Sequence, residues 1–324
     1  MRVFRWLKHH VNPLFLMGGV LSLLSACSTT LEIDALRQSE PAFYADVQSP
    51  LLPFFPQQDY QCGPAALAMV LAWSGVDVTP DELVPLVYLP LRQGSLQIEL
   101  VGASRQFKRL PYVLSPSFTS LMSELKAGHP VIVMQNLGLS WYPKWHYAVV
   151  IGMDLALNQI YLHSGTTKRY VLNLDTFERT WGRAEKWALV VLPPDRLPAS
   201  VDVNGFLKSV AYFDRQGTAS VTEPAYNMAV KRWPGNIVIN MALANINYHR
   251  HDLAAATLLY QSVITQHPAY APAHNNLAQV LMEQGKAALA LLHAEKAVKL
   301  GGPFADKYRE TLEDIMVLRD ATPQ

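Results

Sequence analysis

Three regimes of hydrophobic and polar patterning follow one another along the chain. After a charged start, Val11 to Leu24 is an uncharged apolar run. From Ala65 to Trp73 the residues AALAMVLAW are apolar with almost no polar face, which predicts a helix enclosed on all sides. Gly75 supplies its stop signal. Helical patterning continues after the capping box Thr79-Pro80-Asp81-Glu82, again from about Ser95, and from Ser117 to Lys126. The period then changes. VIVMQNL (131–137), WHYAVVIGMD (145–154), QIYLHS (159–164), RYVLNL (169–174) and KWALVVL (186–192) are short and rich in β-branched and aromatic residues. Turn signals such as Leu157-Asn158 and Gly165-Thr166 separate them too closely for helical crossovers, so an antiparallel sheet is expected. Asp175 is expected to cap a short helix before the last strand.

Beyond Pro193-Pro194 the pattern is helical and self-similar. Pro234 recurs as Pro268, Leu243-Ala244 as Leu277-Ala278, Ala256 as Ala290 and Val263 as Ala297, each 34 residues apart. That is the period of the tetratricopeptide repeat, and it predicts three units over about 203–236, 237–270 and 271–304 with a capping helix to about Arg319. Gly217 falls at the inter-helix turn of the first unit. Three units suffice for a solenoid whose groove takes a peptide or a protein partner, with Asn240, Asn247 and Asn275 or Asn276 as candidate groove amides.

Composition narrows the classes. A chain of 324 residues, half of them hydrophobic, with mean hydropathy +0.08, supports two folded domains and excludes extended disorder. The net charge of +1 includes Arg2, Arg5 and Lys8, which stand before any acid. The remainder is slightly acidic, so nucleic acid is excluded as a partner. The absence of any cluster with ligand spacing implies no metal and no cofactor. Residues 1–26 have the layout of a signal peptide, ending in Ser25-Ala26 before Cys27. The segment LSAC resembles a bacterial lipobox, which implies cleavage before Cys27, acylation of that residue and attachment to a membrane. Ser28 at the next position resembles the sorting pattern for the outer membrane, facing the periplasm.

Candidate chemistry centres on the second cysteine. Cys62 opens the apolar helix, with Gly63 and Pro64 after it and Gln57 five residues before. A helix N-terminus stabilises a thiolate and lowers its pKa when the sulfur is partly exposed. The Gln57 amide is a candidate donor to an oxyanion formed during acyl transfer. With Cys27 acylated, Cys62 has no disulfide partner in its own chain. Of the histidines in this half, His129 precedes a proline and reads as surface punctuation. His146 opens the most hydrophobic strand and is the candidate base.

QQDYQCGPAALAMVL followed by HYAVVIG resembles the papain-like cysteine peptidase domain that removes double-glycine leaders from bacteriocin precursors. The resemblance covers about residues 50–193. It implies an α+β papain-like fold, with Cys62 as nucleophile, His146 as general base and then acid, and Gln57 as oxyanion donor. That family places an Asp at the end of the next strand, where this chain has Leu162-His163-Ser164-Gly165; Asp154 and His163 are the candidate substitutes. The expected organisation is a signal peptide (1–26), a lipidated tether (27–52), a peptidase domain (53–194), a linker (195–202) and an all-α tetratricopeptide solenoid with its cap (203–320). The expected function is cleavage of an amide bond in a peptide or protein recruited by the repeats. A transpeptidase, an amidase or a catalytically silent scaffold acting through the repeats are the alternatives.

Overall fold

The computed structural model describes residues 31–47 and 52–321. The expected signal segment and Cys27 lie outside the described residues. The described part of the expected tether is folded. Helix α1 (Leu31–Ser39) and strand β1 (Tyr44–Asp46) bury Ile33, Phe43, Ala45 and Val47 in the core. These apolar positions are too few and too widely spaced to show periodicity, which is why the stretch reads as a linker.

Helix α2 (Cys62–Trp73) is buried along almost its whole length. Gly75, at φ +87°, ends it as the patterning predicts. Helix α3 (Pro80–Val87) begins at the capping box, where Glu82 accepts from the Thr79 N–H at 2.8 Å. Helix α4 (Gln97–Gln106) and strand β2 (Leu110–Val113) follow, then helix α5 (Phe118–Lys126).

Strands β3 (Val131–Asn136), β4 (Trp145–Asp154), β5 (Gln159–Ser164) and β6 (Thr167–Asn173) form an antiparallel meander. Helix α6 (Leu174–Gly182) is capped by Asn173, which accepts from the Asp175 and Thr176 N–H groups, and not by Asp175. Strand β7 (Ala188–Leu192) returns between β2 and β3. The sheet runs β2-β7-β3-β4-β5-β6, with β1 pairing the far end of β4 in line with β3. This is the expected α+β class, with two short strands that sequence patterning does not show.

The C-terminal half is all helix. Helices α7 (Val203–Arg215), α9 (Ile237–His249) and α11 (Ala271–Glu283) start 34 residues apart. So do α8 (Ala219–Arg232), α10 (Leu253–Gln266) and α12 (Ala287–Leu300). Helix α13 (Ala305–Ala321) closes the stack. The first hairpin does not belong to the helical half alone. Phe206, Val210 and Phe213 share one core with the sheet, and the Ser209 hydroxyl donates to the Pro111 carbonyl at 2.7 Å. A second core forms around Ala256, Tyr260, Leu277 and Ala290.

The expected linker is pinned as well. The fully buried Glu124 carboxylate accepts from the Ala199 N–H, the Ser200 N–H and hydroxyl, and His129 Nδ1 at 2.7 Å. His129 is therefore buried, not surface punctuation, and its ring meets the edge of Trp73 at the end of α2.

Candidate active site

Cys62 is the first residue of α2, so the unpaired N–H groups of the first turn converge near its sulfur. Close packing pins this helix end. A Cβ on Gly63 would lie 2.3 Å from the Ser95 hydroxyl oxygen, so a larger residue there requires Ser95 to shift. Tyr147, the third residue of β4, spans the same corner: its hydroxyl donates to the Ser95 carbonyl at 3.3 Å, and its backbone N–H is directed at the Cys62 sulfur. The residue before it is His146. The fold thus brings the α2 N-terminus against the start of β4.

The imidazole is held from the next strand. His146 Nε2 lies 2.8 Å from the Ser164 hydroxyl oxygen, at the last residue of β5. One residue further, the Gly165 carbonyl accepts from the Gln57 backbone N–H at 3.1 Å. A single turn therefore touches both the candidate base and the segment that carries the candidate oxyanion donor. Gln57 itself is partly exposed.

Neither candidate substitute for the missing carboxylate stands at the imidazole. Asp154 is the last residue of β4, eight positions from His146, or roughly 26 Å along an extended strand. Its carboxylate accepts from the Leu157 N–H in the β4–β5 turn. His163 is buried, packs edge-on against Phe54, and its Nδ1 accepts from the Arg169 N–H at 3.2 Å. Sequence reasoning missed Ser164, although it occupies the strand end where the resemblance expects an Asp. The search there was for a charge, and the position holds a hydroxyl.

The electrostatics differ from the expected lowered thiol. Burial pushes the Cys62 thiol up, and outweighs the N–H groups of Tyr147, Gly63 and Cys62 itself, which act the other way. Burial, with Lys144 adding to it, brings the His146 imidazole down to about 4. At neutral pH both groups rest uncharged, one a thiol and the other a neutral imidazole. Such a pair reacts by transferring the proton as sulfur attacks.

Residues 49–189 match the model of the Peptidase_C39 like family. No curated protein matches. Among solved structures, a double glycine motif protease from an AMS/PCAT transporter in complex with the leader peptide is 19% identical, with a TM-score of 0.35 over 45% of this chain and 93% of that one. A C39-like peptidase from Bacillus anthracis is 16% identical, with a TM-score of 0.39 over 46% and 98%. The peptidase domain of Streptococcus ComA, a bi-functional ABC transporter involved in quorum sensing, is 23% identical, with a TM-score of 0.37 over 44% and 98%. The family match falls within the α+β half, the half that holds Cys62 and His146.

Proposed function

We propose that this chain is a lipid-anchored cysteine peptidase of the bacterial cell envelope, held at the outer membrane through Cys27 and facing the periplasm. The observation that carries the reading is the corner where Cys62 at a helix N-terminus, His146 with its Ser164 contact, and the Gln57 segment meet. Cys62 gives its proton to His146 as sulfur attacks the amide carbon. The Gln57 amide and the Cys62 N–H hold the oxyanion, and the imidazolium then protonates the leaving amine. Water, deprotonated by His146, attacks the thioester and releases the acid and the free thiol. The helical half serves as a tetratricopeptide solenoid that recruits the peptide substrate or a protein partner.

One observation favours the scaffold alternative: the resting pair is uncharged, so nothing preforms a thiolate. Hydrolysis decides between them. Detergent-solubilised full-length chain, incubated with a peptide library and read by mass spectrometry, should yield new termini. Cys62→Ala should abolish them, and His146→Ala should slow them by about 10²–10⁴-fold. Cleavage that persists in Cys62→Ala refutes the assignment, and no cleavage by any form of the chain hands the argument to the scaffold.

A further inference from the structure

The end of β5 is built to aim one hydroxyl. Along β5 and β6 the ladder pairs Gln159 with Asn173 through Leu162 with Tyr170, then shifts so that Ser164 pairs with Thr167. Lys168 and Arg169 thus both stand opposite His163. This is a bulge, a device that re-aims the side chains beside it. Arg169 takes a positive φ of 53° there, and its N–H goes to the His163 ring, which does the work of a ladder carbonyl. The turn closes through Gly165 at φ +61°. Ser164 leaves this bulge pointing at His146 Nε2, and among the described residues it is the hydrogen-bond partner of that ring.

From this geometry, and resting on the reading of Cys62 and His146 as the reacting pair, we infer that Ser164 is the positioning residue for His146: its hydroxyl oxygen accepts from Nε2–H and so leaves Nδ1 as the bare nitrogen that takes the Cys62 proton. A carboxylate at this place would only accept, and would also stabilise an imidazolium. A hydroxyl fixes the ring without adding charge. Of the charged groups, Lys144 ahead of β4 acts on this ring, while Lys168 and Arg169 act on His163. None of these is an acid. Ser164, in the accepting role that leaves Nδ1 free for the Cys62 proton, gives the ring its direction, and the pair it serves stays neutral until substrate arrives.

The test uses detergent-solubilised full-length chain with ¹⁵N-labelled histidine, comparing wild type with Ser164→Ala, Ser164→Thr and Ser164→Asp. Long-range proton–nitrogen spectra report the His146 tautomer and its titration, and a small alkylating reagent reports Cys62 across pH. The expected wild-type spectrum is that of the Nε2–H tautomer. Ser164→Ala should mix the tautomers and slow alkylation at neutral pH by about fivefold, the equivalent of one neutral hydrogen bond. Ser164→Thr should restore both readouts. Ser164→Asp should move them the other way, raising the imidazole midpoint and speeding alkylation. An Nδ1–H tautomer in wild type, or a Ser164→Ala chain whose ring shifts and alkylation profile match wild type, overturns the assignment. The spectra do not depend on turnover: tautomer changes without peptide cleavage keep the positioning role and sink the peptidase reading alone.

Discussion

The two halves of the molecule solve the burial problem in opposite ways. In the α+β half the core closes between distant parts of the chain, as when Tyr44 pairs with Asp154 and Leu110 with Leu192. In the helical half the repeating hairpins stack in chain order, and the same lengths of 13 and 14 residues recur every 34 residues. Long-range closure suits a reactive corner, because residues far apart in sequence must be brought within hydrogen-bond distance and held there. Stacked hairpins suit an extended surface, because each is stabilised mainly by its neighbours. The halves meet in a shared core under the first hairpin, and at the buried Glu124.

Glu124 is where that contrast breaks most readily. Burial alone would push its carboxyl up, but bonds from His129, Ser200 and Ala199 hold it below the usual range. Removing it leaves those donors buried and unpaired, at a cost of about 3–5 kcal/mol. On heating, Glu124→Ala should unfold earlier than wild type and in two resolved steps, with the repeat half melting apart from the sheet. A single transition at the wild-type midpoint would mean that the shared core under α7 alone couples the halves.

Acid should separate the halves more gently. Burial, helped by Lys168 and Arg169, brings His163 down to about 4, and His146 is likewise brought to about 4, from an ordinary 6.5. The unfolded chain therefore binds protons at a higher pH than the folded one. The stability these histidines contribute is complete above about 6.5 and is lost as pH falls towards 4, amounting to about 2 kcal/mol per histidine at pH 5. Chemical denaturation of the α+β half, followed by tryptophan fluorescence at pH 7 and pH 5, should show this loss. His163→Leu should flatten the slope, and an unchanged slope would remove His163 from the account.

What the sequence disclosed follows the same division. Period and propensity place β4, β5 and the helices of the repeats, because each is decided by residues within one turn or one pleat. Strands β1 and β2 escape, since three or four residues carry no period and their pairing is decided by partners far along the chain, as when Tyr44 pairs with Asp154 and Leu110 with Leu192. Glu124 and His129 escape for the same reason: a Gly-His-Pro turn looks solvated until the linker folds over it. At the candidate site, local motif context picks out Cys62, His146 and Gln57 as candidates, but not Ser164. Its role depends on a bulge that no residue type announces.

The finest contrast lies within the repeats. The turn inside each hairpin needs a residue in the left-handed region, and the chain supplies Gly217 at φ +61°, His251 at φ +60° and Gly285 at φ +73°. These positions are again 34 apart, so the middle hairpin bears a Cβ where its neighbours have none. A non-glycine residue held at such a φ costs about 1–2 kcal/mol, partly offset by the greater freedom that glycine loses on folding. His251→Gly should therefore stabilise the helical half by about 0.5–1 kcal/mol and leave the α+β half untouched, while Gly217→Ala and Gly285→Ala should each destabilise it by a similar amount. Urea titration of the helical signal measures all three. If His251→Gly instead destabilises, the side chain at that turn stabilises more than its backbone costs, and the three hairpins are not equivalent units.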